Sequence, residues 1–91
     1  MSSLPNNIEH LIQSGQIDEA IAMLDRYIAS NLDDAEALYL RGKAWWKRGD
    51  RSRATGDYTA SALIDPAGKG ARALEMAHDV ADFFNPDLLN P

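Results

Sequence analysis

Leu38-x2-Arg41-Gly42-x2-Trp45, then Gly49-Asp50, then Ala54-x3-Tyr58, then Asp65-Pro66 is the stretch whose reading decides the fold. A large apolar residue, a Gly, an aromatic, an Ala and a second aromatic stand at helical spacings, and a Pro closes the run. Counting back 34 residues pairs Leu38 with Leu4, Trp45 with Leu11, Trp46 with Ile12, Gly49 with Gly15, Ala54 with Ala20 and Tyr58 with Leu24. Self-similarity at a fixed period marks a repeat architecture in which each unit buries its apolar face against the next.

On those residues the chain resembles the tetratricopeptide repeat family. The second unit carries the family pattern; in the first, the opening helix is short and Leu32 stands where the closing Pro would be. The resemblance implies an all-α chain of antiparallel helix-turn-helix repeats, a short solenoid of about five helices. It divides a single domain, 1–91, into repeat one (1–32), repeat two (33–66), a capping helix (71–84) and a tail (85–91). It also implies that the first helix of each repeat lines a concave groove that receives an extended or helical peptide.

The apolar spacing places the helices one by one. The first runs from about Leu4 to Ser14, with Pro5 in its first turn, and Gly15-Gln16 ends it. The second, about Ile17 to Ser30, carries Ile17, Ile21, Leu24 and Ile28 on one stripe. Asp33-x-x-Glu36 resembles a capping box opening the third helix, which ends near Arg48. The fourth runs from about Arg51 to Ile64, where Asp65-Pro66 stops it. Its Gly56 marks either a close helix approach or an exposed position that tolerates Gly. Ala67-Gly68-Lys69-Gly70 reads as a linker, and the fifth helix, about Ala71 to Phe84, carries Leu74, Ala77, Ala81 and Phe84 on one stripe. Gly42 and Ala54 are small enough for the two helices of repeat two to approach closely, with Trp45 and Tyr58 filling the space beside them.

A helical wheel of the third helix sorts its side chains. Leu38, Arg41, Gly42 and Trp45 point to the core. Glu36, Tyr39, Lys43, Trp46 and Lys47 share the opposite side, with Leu40 at its border. With Ile12 from the first helix, they are the candidate partner-binding residues of the concave face; Pro5, Glu9 and Gln13 occupy the matching positions there. Tyr and Trp offer wide contact area with a polar end, and Lys offers anion contacts. Trp46 reads equally as a cover for the core edge. Arg41 stands where the family usually has Leu; it either snorkels to solvent or pairs with an acid on the second helix such as Asp25. Some family members hold a C-terminal carboxylate with a Lys, Asn and Arg clamp. Pro5, Glu9 and Leu40 stand at clamp positions here, so that activity is not expected.

Charge is polarised. Residues 41–53 hold six of the nine basic residues and one acid, +5, whereas the rest of the chain carries −10, for a net charge of −5. A solvated turn, an acidic partner peptide and self-association against an acidic helix of a second copy all fit the basic segment. The net negative charge argues against nucleic acid. The tail residues Leu88 and Leu89 either fold back as a lid or dock on another copy, and a homodimer built by stacking repeat ends or tails is the alternative to a peptide ligand.

Nothing in the chain positions a nucleophile against a base, so no enzyme, no cofactor and no metal are expected. His10 and His78 are single, without a second His or Cys at ligand spacing. The acids read as outward-facing. There is no Cys and no apolar run of membrane-spanning length, and the first residues lack a signal pattern. A cytoplasmic chain with a protein or peptide partner is the expectation, with no membrane.

Overall fold

The computed structural model describes residues 4–83, with side chains through His78. Those residues form five α-helices and no strand: α1 (Ile8–Gln13), α2 (Ile17–Ala29), α3 (Ala35–Arg48), α4 (Arg51–Ile64) and α5 (Lys69–Phe83). The fold is all-α. Each helix packs against the next in the chain, and α3 packs against all four others.

The turns follow from their residues. Gly15 and Gly49 end α1 and α3 at φ of 87° and 97°, a left-handed conformation that costs Gly nothing and other residues about 1 kcal/mol or more. The Gly49 N–H bonds back to the Trp46 carbonyl and that of Asp50 to Trp45, which satisfies two orphan acceptors at the end of α3. Asp50 then caps α4 by accepting from the Arg53 N–H at 3.0 Å.

Three boundaries differ from the sequence reading. α1 starts at Ile8 rather than Leu4, because Asn6 and Asn7 form a turn and Pro5 brings no donor to it. The cap of α3 is Asp34, not Asp33: its carboxylate accepts from the Ala37 N–H at 3.0 Å and from the Tyr27 hydroxyl at 2.6 Å. Tyr27 selects between two adjacent acids by bonding one of them, and that hydrogen bond raises the Tyr27 pKa. Glu36 is then not a capping partner; it accepts from Lys69 at 3.2 Å. Finally, α5 begins at Lys69, so Gly70 belongs to a helix and not to a linker. A Cβ at Gly70 would collide with the Ser61 side chain, so the missing side chain allows α5 to seat on α4. The Ser61 hydroxyl in turn donates to the Ala35 carbonyl at 2.7 Å, joining the start of α3 to the end of α4.

The core has two parts. Ile8, Leu11, Ile12, Leu24, Ile28 and Leu40 lead the larger, between α1, α2 and α3. Ala54, Tyr58 and Ala77 form the smaller, between α4 and α5, with Tyr39, Trp45 and Trp46 packed on it. α3 and α4 meet closely at Gly42. A Cβ there would lie 2.6 Å from the Tyr58 ring and 3.1 Å from the Ala54 carbonyl oxygen, so only Gly fits. Gly56, by contrast, faces open space.

Arg41 is neither stripped of partners nor extended to solvent. Its guanidinium makes two parallel hydrogen bonds to Asp57, 2.8 and 2.9 Å, and a third to Asp25 at 3.1 Å. The pairing to Asp25 matches one of the two sequence readings. The stronger partner, Asp57, was read as an outward acid and is only 8% exposed. The fork geometry of a bidentate Arg–carboxylate pair adds specificity to charge. Hydrogen bonding to Asp57 raises the Arg41 pKa against the opposing cost of burial. One side chain thus ties α2, α3 and α4 together.

Candidate functional site

α3 presents Tyr39, Lys43 and Trp46 on one stripe, since residues three and four apart share a helix face. Beside them the close approach at Gly42 brings Tyr58 of α4 forward. From α5 come Ala73, Met76 and Ala77. These seven residues enclose an open cleft of about 290 Å³. Its floor is aromatic: the Tyr39 and Tyr58 rings stack at 6.1 Å between centroids with an interplanar angle of 30°. Its far wall is low because Ala73 and Ala77, one turn apart, add no bulk. Met76 forms an exposed lip, 68% accessible, and an unbranched thioether adapts to varied shapes.

A second cleft of about 340 Å³ adjoins α3 on its α1 side, lined by Leu4, Pro5, Asn6, Ile8, Glu9, Glu36 and Leu40. Lys69 stands between the two. Its ammonium bonds Glu36 and lies 5.9 Å from the centre of the Tyr39 ring. The bond to Glu36 raises the Lys69 pKa, so the group stays cationic.

The basic segment is largely spent within the molecule. Arg41 is held by Asp57 and Asp25, Arg48 pairs with Asp18, and Arg53 pairs with Asp50 at 3.5 Å. Arg51 covers the Trp46 ring at 4.9 Å and Arg53 the Trp45 ring at 4.8 Å, geometry suited to cation–π attraction. Among the described residues Lys43 and Lys47 have no ion-pair partner. They sit one helical turn apart on the side of α3 that carries the cleft.

Of the six residues singled out in the sequence, Tyr39, Lys43 and Trp46 come together in the first cleft. Glu36 lies in the second and is engaged by Lys69. Lys47 is exposed, one turn past Lys43, and lines neither cleft. Ile12 is a correction: at 1% exposure it is part of the core, because the short α1 turns its apolar residues inward against α2 and α3. Leu40, 2% exposed, is core as well, and Gln13 lines neither cleft. Tyr58, Ala73, Met76 and Ala77 were not singled out for the site. The only signal for them was the position of Tyr58 opposite Gly42 and the apolar stripe of α5. Phe84, Leu88 and Leu89 lie outside the described residues.

The Tyr58 phenol has the one large perturbation in the cleft. Burial, the neighbouring Tyr39 and the Asp57 carboxylate push it up to about 12, so it remains a neutral O–H donor at any physiological pH. Among the described residues no group of three or more His, Asp or Glu is placed to hold a metal ion. No helix among them is long and apolar enough to cross a membrane. No protein-family model, no curated protein and no solved structure matches this chain.

Proposed function

We propose that the chain is a protein-interaction module of the tetratricopeptide kind, which takes a partner peptide into the cleft between α3 and α5. The observation that carries the reading is the composition of that cleft. Three side chains of one α3 stripe, Tyr39, Lys43 and Trp46, combine two half-buried aromatics with a cation along one open cleft. Aromatic anchors in an apolar recess supply most of the binding energy at protein interfaces, and a rim charge selects the partner. The partner segment therefore carries a bulky apolar residue for the recess and acidic residues for Lys43 and Lys47. The cytoplasm is the compartment proposed with it.

The test begins with affinity capture from the source cell, identification of the retained protein and reduction of its contact region to a synthetic segment. Wild-type chain should bind that segment. Tyr39→Ala combined with Trp46→Ala should keep the helical circular dichroism spectrum and abolish binding. Binding that survives the double change sinks the groove assignment.

A second reading, a homodimer built from repeat ends, has its own observation. Leu32, 75% exposed, follows α2, while Leu63, 80% exposed, and Ile64, 42% exposed, finish α4. Apolar residues left open where helices end are where stacked copies would meet. Sedimentation across micromolar concentrations decides it: a monomer throughout eliminates the dimer.

A further inference from the structure

Tyr58 belongs to the repeat pattern and packs against Gly42, yet its hydroxyl has no partner among the described residues. The residue is 6% exposed, and its oxygen makes no hydrogen bond to any described residue. No buried side-chain oxygen or nitrogen lacks a partner among them, so this oxygen is not sealed in. Tyr58 is itself one of the residues that line the cleft. A phenol on a residue that lines an apolar recess, with its O–H unspent among the described residues, is free to donate to an incoming acceptor.

Its surroundings decide what it engages. Lys43 lines the same cleft and has no ion-pair partner among the described residues. Asp57, next to Tyr58 in sequence, would repel an anion if it stood alone, but Arg41 neutralises it through two hydrogen bonds. Lys69 holds its positive charge beside the Tyr39 ring. The cleft therefore offers a neutral donor and a cation to an incoming group, while Arg41 weakens the repulsion from Asp57. A carboxylate accepts from both, whereas an amide meets the phenol but gains little from the ammonium.

We infer that Tyr58 and Lys43 together read a carboxylate side chain of the bound peptide, with Tyr39, Trp46 and Met76 taking an adjacent bulky apolar side chain. The inference rests on the proposed function and narrows it to a partner whose apolar anchor stands next to Glu or Asp. Tyr58 acts in specificity and not only in packing.

The test uses two matched arrays of short synthetic peptides. Each peptide carries Leu or Phe anchors, flanked by Glu in one array and by Gln in the other. Wild-type chain should bind the Glu array more tightly. Tyr58→Phe keeps the ring against Gly42 and should melt like wild type, yet lose roughly tenfold or more of the affinity for Glu peptides, the scale of a hydrogen bond to a charged group. Its affinity for Gln peptides should fall by less, on the smaller scale of a neutral hydrogen bond. Lys43→Gln should erode the same preference, while Trp46→Ala weakens both arrays alike. An unchanged Glu preference in Tyr58→Phe overturns the role of Tyr58 and leaves the peptide-binding reading standing. Equal binding of both arrays by wild type overturns the carboxylate alone. Failure of wild type to bind any member overturns both.

Discussion

The two helical hairpins are held by different forces. Between α1 and α2 the contacts are almost wholly apolar, led by Ile8, Leu11, Ile12, Leu24 and Ile28. Between α3 and α4 the helices nearly touch at Gly42, beside the small Ala54, and Arg41 grips Asp57 across the join. An apolar contact tolerates small slips, since dispersion and burial have no direction. A bidentate ion pair does not, because two parallel hydrogen bonds fix one geometry. The hairpin that carries the cleft is thus the one with a fixed register, which holds the Tyr58 ring opposite Tyr39.

The comparison can be broken at either hairpin. The largest effect is expected from Leu24→Ala, at a side chain with no exposure, which should cost about 2–5 kcal/mol in urea unfolding. If it costs less than Arg41→Ala, burial is not the chief support of the first hairpin. Arg41→Ala leaves the buried Asp57 without its counter-charge and should cost about 3 kcal/mol. Adding Asp57→Leu to that variant should restore much of the loss, since an apolar pair replaces an orphaned charge. No restoration would mean that the packing of Arg41, rather than its charge, secures the register. The smallest effect is expected at the seam between hairpins. Asp34→Ala removes both the α3 cap and the acceptor for Tyr27 and should cost about 1–2 kcal/mol, with Asp34→Asn intermediate. A cost indistinguishable from zero would show that the Asp34 cap and its bond to Tyr27 add nothing to the coupling of the hairpins.

Much of the architecture could be read from spacing. The 34-residue recurrence placed both Gly turns, and the wheel of α3 grouped Tyr39, Lys43 and Trp46, because a single straight helix fixes relative directions with no knowledge of its neighbours. What failed needed those neighbours. Ile12 matched Trp46 in register but not in surroundings: α1 has only six residues, and its apolar positions all turn inward. Asp57 lies 16 residues from Arg41, so their meeting depends on how α3 crosses α4, which no local pattern states. Asp33 and Asp34 are equivalent as caps until the Tyr27 hydroxyl chooses one. Gly70 reads as a linker residue in Ala-Gly-Lys-Gly; only the Ser61 side chain against it shows that the gap is a seat.

The central place of α3 has a consequence for how the chain reaches its native state. Every other helix rests on α3, and most of the remaining helix pairs are neighbours in the chain, so the loops closed during assembly are short. Low contact order of this kind puts folding in the range of about microseconds to milliseconds. The α3–α4 hairpin can condense first, with α2 and α5 adding from opposite sides. Growth can proceed toward both ends at once, which spares the chain a search among distant pairings.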